Sequence, residues 1–358
     1  MHITLNPVEG EPHSAPAPAP EDVLDEGQFK RGCDSPVIEE QVIDNITLGA
    51  PFDEGSSTTR TQAGCVWSEE DWSCAYDAVF MSLLSIYEGS SPGWRNEWRE
   101  QSPRWSNLLG AAFDSLLATS HAQPSQAVLS QEFTSFREIF RDELSRINPL
   151  CFRRHGAVPA SVCQILNHIF GGSVEREPCL NQLVACDQCG ISVYDRCSFT
   201  LLGSTELLSG YLREGDIGPP LPLQIAVTRY IQRFSQEPGR SHCRTCSGPL
   251  NVESLSFPDM PWLWIELCDP VSPITPSLRL VFGLPDQRQV YTLQAVIYLG
   301  GNHFTARLSD QSATWWKYDG RWRFGAPRID DIRGEADLLK NDGRRAAFLL
   351  YRRADPQD

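Results

Sequence analysis

Apolar residues recur at intervals of three and four along the first half of the chain, which is the period of a helix with one buried face. The clearest stretch is "CAYDAVFMSLLSIY", residues 74–87, whose apolar stripe begins just after Cys74. Similar stretches cover residues 105–120, 130–147 and 159–170, the last with a proline suited to its first turn. The pattern predicts a mainly helical first half.

After residue 178 the pattern changes to short β-branched runs separated by turn residues. The first of these runs cover residues 179–202, 221–234, 242–257 and 262–267. A terminal series, with turns at "GGN" and "DG", covers residues 289–301, 302–310, 314–320 and 346–353. This series is typical of an antiparallel meander, and helices followed by strands indicate an α+β protein.

Residues 1–60 differ in composition from the rest of the chain. They hold twelve of the 46 acidic residues and three of the 31 basic ones, within a net charge of -15 for the whole chain. Stretches such as "APAPAP" and "GSSTT" offer little apolar surface to offset the entropy of ordering. We therefore expect residues 1–60 to be a mostly disordered acidic tail and residues 61–358 to form one domain.

The charge and the N-terminal composition limit the partners and the location that we expect. A net charge of -15 does not suit a phosphate backbone, so nucleic acid is a poor candidate partner. Residues 1–20 lack the cationic and apolar regions of a secretory signal, and no run reaches the roughly 18 apolar residues of a membrane-spanning helix. We expect a soluble protein of the cytoplasm, the nucleus or both, with no membrane partner.

Two CxxC motifs stand out among the twelve cysteines, Cys186-Asp-Gln-Cys189 and Cys243-Arg-Thr-Cys246, with 53 residues between them. Two residues between thiolates allow both sulfur atoms to reach one tetrahedral ion. Two such motifs together complete a closed four-thiolate zinc site, which has no open position for catalysis. The spacing predicts a structural zinc ion.

Other interpretations of these cysteines remain open. They could be unrelated thiols, or one motif could be a redox pair, although a redox CxxC needs a helix start and both motifs here run into turn residues. Cys179, Cys197 and His242 lie nearby in the sequence and could be spare thiols or a substitute ligand. In an intracellular protein we expect reduced thiols or metal ligands, and not disulfides.

A candidate catalytic set combines one of the remaining cysteines with a histidine and an aspartate. Cys74 begins the first helical stretch, and a helix N-terminus lowers a thiol pKa because its unpaired N–H groups favour negative charge. His303 begins a strand after a Gly-Gly turn, and Asp319 ends the next strand. Adjacent antiparallel strands would place these two residues at one end of the sheet, as a nucleophilic cysteine with a base and an orienting acid requires. The alternative for Cys74 is an inert buried thiol, the usual outcome for cysteines such as Cys163 and Cys268.

Taken together, these motifs resemble the ubiquitin-specific proteases, a group of papain-like cysteine isopeptidases. The resemblance covers residues 64–352 and rests on "CAYDAVFMSLL", the two CxxC motifs, "YTLQAVIYLGGNHFTARL", "WWKYDG" and "AFLLYRR". It implies that Cys74 is the nucleophile, His303 the base and Asp319 the orienting acid. It also implies a helical thumb over residues 61–178, zinc-bearing β fingers over residues 179–260 and an antiparallel β palm over residues 261–352.

By the same resemblance, the partner would be ubiquitin or a ubiquitin-like protein and its conjugates. The reaction would be hydrolysis after the C-terminal Gly-Gly of that protein. The Gly-Gly tail would pass between thumb and palm, beside the turn formed by Gly300, Gly301 and Asn302. Glycine suits such a turn because it allows another backbone to approach closely.

The sequence departs from the family pattern at several positions, and two of these bear directly on the chemistry. Glu69 stands where the family usually has the asparagine that donates to the oxyanion, and a carboxylate cannot donate a hydrogen bond. The backbone N–H of Cys74 and an indole N–H of Trp67 or Trp72 would have to serve in its place. Asp77 replaces a second asparagine, and a branch of the family that cleaves SUMO also has an aspartate there.

Three alternatives therefore stay open beside the ubiquitin isopeptidase. The first is a SUMO-directed isopeptidase of the same fold, and the second is a catalytically weak or inactive protein that binds ubiquitin-like modifiers. The third, a zinc-ribbon protein that binds nucleic acid, would explain the CxxC motifs but neither the acidity nor the residues around His303 and Asp319.

Overall fold

The structure is a computed structural model, and it describes residues 63–122, 124–154, 160–170, 179–198, 220–236, 242–256, 260–267, 274–282 and 288–354. The predicted acidic tail, residues 1–60, lies outside the described residues. The described residues all belong to one compact unit, Thr58–Asp358. Within them, no helix has the length and the apolar character needed to cross a membrane.

The first half of the described chain is helical, as predicted. Six α-helices occur within the described residues: α1 Cys74–Glu88, α2 Pro92–Gln101, α3 Pro103–His121, α4 Gln126–Ile147, α5 Val162–Phe170 and α6 Leu223–Gln236. Helix α2 was not predicted from the sequence. Its start is nevertheless well defined, because Ser91 accepts a hydrogen bond from the N–H of Trp94 and Pro92 occupies the first turn.

Helix α6 corrects one prediction. The run at residues 221–234 was expected to be strand-like, but only Leu221–Pro222 is a strand and the rest is helical. Leu223, Ala226 and Val227 lie on one face of α6 and are buried. Their spacing of three and four is the helical period, which outweighed the β-branched composition of the run.

The strands form one large and two small sheets. They are β1 Cys179–Cys186, β2 Ser192–Ser198, β3 Leu221–Pro222, β4 Leu250–Ser256, β5 Trp262–Glu266, β6 Ile274–Thr275, β7 Arg279–Phe282, β8 Gln289–Gly300, β9 His303–Ser309, β10 Trp315–Tyr318, β11 Arg328–Asp330, β12 Lys340–Asn341 and β13 Arg344–Arg353. The large sheet has the order β11-β10-β9-β8-β13-β12, with β5 beside β13 and β7 beside β8, and its pairs are antiparallel. Strands β8, β9 and β10 therefore form the predicted meander, but β13, expected to follow them, pairs with β8 and not with β10.

The small sheets are separate from this meander. Strands β2, β1 and β4 form an antiparallel sheet in that order, and β3 pairs with β6 in parallel. The described chain is thus a mixed α/β structure in which antiparallel sheets dominate.

Helix α1 occupies the centre of the main core and packs against β8 and β9 of the large sheet. Every residue from Cys74 to Tyr87 is buried, so this helix is enclosed on all sides and does not show the single buried face that its stripe predicted. The hydroxyl of Ser85 donates to the carbonyl oxygen of Ser309 at 2.8 Å, which ties the helix to the end of β9. Burial of so much apolar surface fixes the position of α1 relative to the sheet.

Candidate active site

The N-terminus of α1 begins directly after a tight loop that holds Cys74 at its first position. Trp72 adopts a left-handed backbone conformation, with φ of +50°, and the N–H of Ser73 donates to the carbonyl oxygen of Ser68 at 3.3 Å. The hydroxyl of Ser73 does not cap the helix. It accepts from the N–H of Ser68 at 2.8 Å and donates to Asp77 at 2.8 Å. The N–H groups of the first turn of α1 are therefore not taken up by this cap residue.

His303 is presented by a two-residue hairpin turn. Strands β8 and β9 pair up to Gly300 and His303, and the two residues between them, Gly301 and Asn302, both have positive φ, of +57° and +53°. This is the type I′ geometry, which requires residues that tolerate the left-handed region. A side chain at Gly300 would lie 2.9 Å from Cγ of Arg344 on β13, so close packing of the sheet also restricts that position. Whether this turn lines a channel for a substrate tail stays a prediction.

Asp319 holds one nitrogen of the His303 ring. Nε2 of His303 lies 2.9 Å from Oδ1 of Asp319, and the His303 side chain is 1% exposed. The same carboxylate oxygen accepts the backbone N–H of Arg321 at 3.0 Å. Although burial opposes its ionisation, the hydrogen bonds from His303 and from the backbone of Arg321 hold the pKa of Asp319 below its ordinary value. The structure thus brings His303 and Asp319 together, and their catalytic roles stay a prediction.

The other ring nitrogen of His303 is available for chemistry. Nδ1 is buried and has no hydrogen-bond partner among the described residues. The residue after His303, Phe304, directs its backbone N–H at the thiol of Cys74. The thiol therefore contacts the backbone of the residue that follows His303. Cys74 lies on α1 and His303 on β9, and these two elements pack together in the core.

The environment of Cys74 does not give a preformed thiolate. Burial raises the pKa of the Cys74 thiol above its ordinary value, and the N–H groups of Phe304 and Ala75 oppose this rise without cancelling it. The lowered pKa expected from the helix N-terminus is therefore wrong, because desolvation of the thiolate outweighs the backbone dipoles. A thiol in this state needs a base at the moment of reaction.

Trp67 connects the N-terminal loop to the imidazole. Its ring meets that of His303 edge to face, with centroids 5.8 Å apart, and the backbone N–H of Trp67 donates to the carbonyl oxygen of Gly320 at 3.1 Å. The guanidinium of Arg321 lies 3.9 Å from the Trp67 ring centroid on the exposed side. The indole Nε1 is buried and has no partner among the described residues. Trp67 is therefore an unused hydrogen-bond donor in contact with the candidate base.

Glu69 lies in the turn before α1 and is exposed to solvent. Its backbone carbonyl accepts from the N–H of Trp72 at 3.4 Å, so the residue shapes the turn through its main chain. As an ionised carboxylate its side chain has no hydrogen to donate. Any stabilisation of an oxyanion must come from other groups.

The four cysteines of the CxxC motifs converge at one end of the β1-β2-β4 sheet. The ligand atoms of Cys186, Cys189, Cys243 and Cys246 all lie within 4.8 Å of one another. The motifs turn through left-handed residues at Gly190 and Ser247, with φ of +70° and +58°. No other group of three or more potential metal ligands, including one with His242, occurs within the described residues.

The arrangement of the thiols fits a zinc ion. Zn–S bonds of about 2.3 Å in a tetrahedron place the sulfur atoms about 3.8 Å apart. The observed Sγ separations are 3.3 Å between Cys186 and Cys246 and 3.6 Å between Cys189 and Cys243. All four cysteines are free thiols, so no disulfide competes for them. The predicted convergence of the two motifs is confirmed, and the identity of the ion stays a prediction.

Comparisons with known proteins find a likeness in structure. No family model matches this chain, and no curated protein matches it. The SAGA DUB module of Ubp8, Sgf11, Sus1 and Sgf73 bound to monoubiquitin is 13% identical over 84% of this chain and 71% of that one, with a TM-score of 0.49. The module bound to ubiquitin aldehyde is 12% identical over the same shares, with a TM-score of 0.45. A yeast SAGA DUB module with an altered Sgf73 is 14% identical over 84% and 70%, with a TM-score of 0.40. At this level of likeness, the function has to be inferred from the residues of the site.

Proposed function

We propose that this protein is a cysteine isopeptidase that removes ubiquitin or a ubiquitin-like modifier by hydrolysis after the C-terminal Gly-Gly of the modifier. The observation that carries the proposal is the state of the His303 ring. One nitrogen is bound to Asp319 at 2.9 Å, and the other is buried and unpartnered beside the residue that contacts Cys74. A base oriented in this way is what an unactivated thiol requires.

The reaction would proceed through a thioester. Nδ1 of His303 takes the proton of the Cys74 thiol as Sγ attacks the terminal glycine carbonyl carbon, and the imidazolium then gives that proton to the departing lysine amine. A water molecule next attacks the thioester carbonyl and passes its proton to the same nitrogen. Collapse of this second intermediate expels the thiolate, which takes the proton held by the imidazolium, and the new carboxyl group of the modifier then loses its proton to solvent. Asp319 holds the ring and stabilises the imidazolium in both steps.

The oxyanion would be stabilised without the usual asparagine. The backbone N–H of Cys74 belongs to the first turn of α1, which its cap residue leaves unsatisfied. The second donor is the indole N–H of Trp67, which is buried, unpartnered and in contact with the His303 ring. These two groups would supply the hydrogen bonds that the carboxylate of Glu69 cannot donate.

The zinc site and the β sheets would serve recognition. Zinc held by Cys186, Cys189, Cys243 and Cys246 supplies a structural cross-link between two chain segments. The sheet that it closes corresponds to the fingers proposed for residues 179–260. Together with a thumb over residues 61–178 and a palm over residues 261–352, it would grip a ubiquitin-like protein whose tail passes the Gly300-Gly301-Asn302 turn.

A covalent trapping experiment tests the proposal. Purified protein is incubated with ubiquitin and, separately, with SUMO, each carrying an electrophile at its C-terminus. We expect one modifier to form an adduct that Cys74→Ala abolishes and that Cys163→Ala, a change at a half-buried thiol of α5, leaves intact. If folded, zinc-loaded protein forms no adduct with either modifier, the isopeptidase proposal fails for both.

Two features favour a binding protein without activity as the second candidate. Burial raises the pKa of the Cys74 thiol, and Glu69 occupies the position of the missing donor. Loss of one oxyanion donor typically lowers kcat by about 10²–10³-fold. This candidate predicts saturable binding of ubiquitin or SUMO with no adduct and no hydrolysis, so the same assay separates it from the enzyme.

A further inference from the structure

A buried ion pair lies beneath the candidate nucleophile. Arg137 of α4 and Asp77 of α1 are each 1% exposed, and Nη1 of Arg137 donates to Oδ1 of Asp77. Desolvation opposes the charge on Arg137, but the carboxylate of Asp77 raises the pKa of the guanidinium, so Arg137 stays charged. Asp77 is therefore already paired inside the protein.

Asp77 links this ion pair to the loop that precedes Cys74. Its second oxygen accepts the hydroxyl hydrogen of Ser73 at 2.8 Å, and the same hydroxyl oxygen accepts the N–H of Ser68 at 2.8 Å. Ser73 is the residue immediately before the thiol and is fully buried. A continuous chain of hydrogen bonds thus runs from Arg137 through Asp77 and Ser73 to the loop.

Helix α4 holds the same loop directly at both ends. Thr134 accepts the N–H of Val66 at 3.2 Å, and Arg137 reaches the carbonyl oxygen of Val66 at 3.5 Å. Arg141, one turn further along α4, donates to the carbonyl oxygen of Asp71 at 2.8 Å. Residues three and four apart on a helix share a face, so one face of α4 fixes the loop between residues 66 and 71.

A buried ion pair is a weak source of stability, because an apolar pair of similar volume often serves as well or better. Its value here must come from geometry: the fork of an arginine can bind a carboxylate and a carbonyl oxygen in fixed directions. Small displacements of a nucleophile from its productive position lower turnover strongly. The Arg137–Asp77 pair is hydrogen-bonded to Ser73, the residue directly before Cys74, so loss of the pair would displace the Cys74 thiol.

We propose that Arg137 is a positioning residue, which acts through Asp77 and Ser73 to fix the Sγ atom of Cys74 against His303. The inference rests on the proposed function only for the direction of its effect on turnover. It also predicts an effect on the chemical reactivity of the thiol, which can be measured with no ubiquitin-like substrate. Asp77 accordingly serves the geometry of the nucleophile.

The central test replaces both charges at once. The double variant Asp77→Leu with Arg137→Met removes the hydrogen-bond chain without leaving an unpaired buried charge, so its thermal midpoint should stay within about 4 °C of the wild type. We expect kcat, and the alkylation rate of Cys74 by iodoacetamide, to fall on the order of a hundredfold with KM unchanged. Arg104→Met is the matched control. Arg104 of α3 pairs with Glu143 of α4 and its side chain is 46% exposed, so this change should alter none of these values.

A second variant keeps the test decisive if the double variant does not fold. Asp77→Asn keeps the oxygen that faces Arg137 but presents N–H hydrogens to the hydroxyl of Ser73, which already accepts from Ser68. We expect a lowered thermal midpoint, because the buried guanidinium of Arg137 loses its counter-charge, and a clearly slower alkylation of Cys74 at temperatures where the variant is folded. Wild-type alkylation rates in a folded double variant, or in a folded Asp77→Asn variant, overturn the positioning role. If the wild type instead hydrolyses no modifier, the proposed function fails while the alkylation measurement still decides this inference.

Discussion

At the scale of single residues, the catalytic proposal depends on how the His303 ring is held. Nε2 is bound by Asp319. Any rotation of the ring would therefore break this hydrogen bond in a buried site. Such a loss would leave a desolvated polar atom without a partner, which is costly. The carboxylate therefore fixes both the tautomer and the orientation of the ring.

Replacement of the orienting carboxylate tests this role. We expect Asp319→Asn to lower kcat by about 10²–10⁴-fold while KM changes little, because the amide can hold the wrong tautomer of His303. Steady-state hydrolysis of a ubiquitin-like substrate provides the measurement. Asp331→Asn is the control, since Asp331 lies exposed in the neighbouring segment and pairs with Arg333. Equal loss in both variants would contradict the assignment.

The pH dependence of thiol modification follows from the environment of Cys74. Because burial raises the pKa of the thiol, the thiolate fraction should still be increasing near pH 9, where an ordinary cysteine with a pKa of about 8.5 is mostly ionised. The alkylation rate of Cys74 by iodoacetamide should therefore rise through pH 9 with no plateau below it. Mass spectrometry of the Cys74 peptide gives the rate. A plateau near neutral pH would instead indicate a preformed thiolate.

The sequence offered Trp67 and Trp72 as candidate donors to the oxyanion, and Trp67 is the one whose ring contacts His303. Trp67→Phe keeps a ring against His303 and removes the buried, unpartnered Nε1 donor. We expect kcat to fall by about 10²–10³-fold, as for loss of one oxyanion donor, with unchanged alkylation of Cys74 by iodoacetamide. Trp322→Phe, at a tryptophan that is 40% exposed, serves as the control. A wild-type kcat for Trp67→Phe would remove this residue from the mechanism.

At the scale of elements, the β1-β2-β4 sheet has a small apolar core among its described side chains. Four of these side chains form its buried cluster, Val184, Cys186, Cys243 and Leu250, and two of the four are candidate zinc ligands. Small units of this kind usually need a metal or disulfides, and this one has free thiols. Metal binding and folding of this sheet should therefore be coupled.

Removal of the metal tests this coupling. We expect one zinc ion per chain by elemental analysis, and Cys246→Ala should abolish it. Hydrogen exchange should then accelerate in β1, β2 and β4, while the strands of the large sheet stay protected. Cys151→Ala, at a cysteine outside the cluster, should leave zinc content and exchange unchanged. Two results would contradict a structural four-thiolate site. One is exchange that accelerates equally in both sheets, and the other is zinc that stays bound in the Cys246→Ala variant.

At the scale of the whole molecule, one core joins the helical half to the terminal meander. Ile297 lies at its centre: it is fully buried on β8 and pairs with Ala306 on β9 and Phe348 on β13. The residues that carry the site lie at the edges of this core, Cys74 on α1 and His303 on β9. Their relative position therefore depends on packing that neither element provides alone.

A core truncation should lower stability without altering chemistry. We expect Ile297→Ala to lower the free energy of unfolding by about 2–5 kcal/mol, because it leaves a cavity in a closely packed sheet. Denaturant unfolding followed by tryptophan fluorescence gives the value. Ile329→Ala, at an isoleucine that is 64% exposed, should change it by less than about 0.5 kcal/mol. Equal effects at both positions would show that the core is not where the structure has it.

The sequence by itself determined the elements whose signals are local. The helix that begins at Cys74, the β8-β9 hairpin with its Gly301-Asn302 turn, and the closeness of His303 to Asp319 all follow from short-range patterns. Hairpin pairing joins residues near in sequence, so their register can be read from the chain. The convergence of the two CxxC motifs was predictable from metal-ligand spacing alone.

Tertiary structure decided everything that depends on burial by distant residues. The run at residues 221–234 became a helix because its apolar face is covered by the large sheet, and propensity is a weak guide in such cases. The pKa of Cys74 rises because β9 and the core cover the thiol, which no helix position reveals. The pairing of Asp77 with Arg137 spans sixty residues and has no local pattern. Each of these depends on which groups water can reach, and that is settled only when the whole chain has packed.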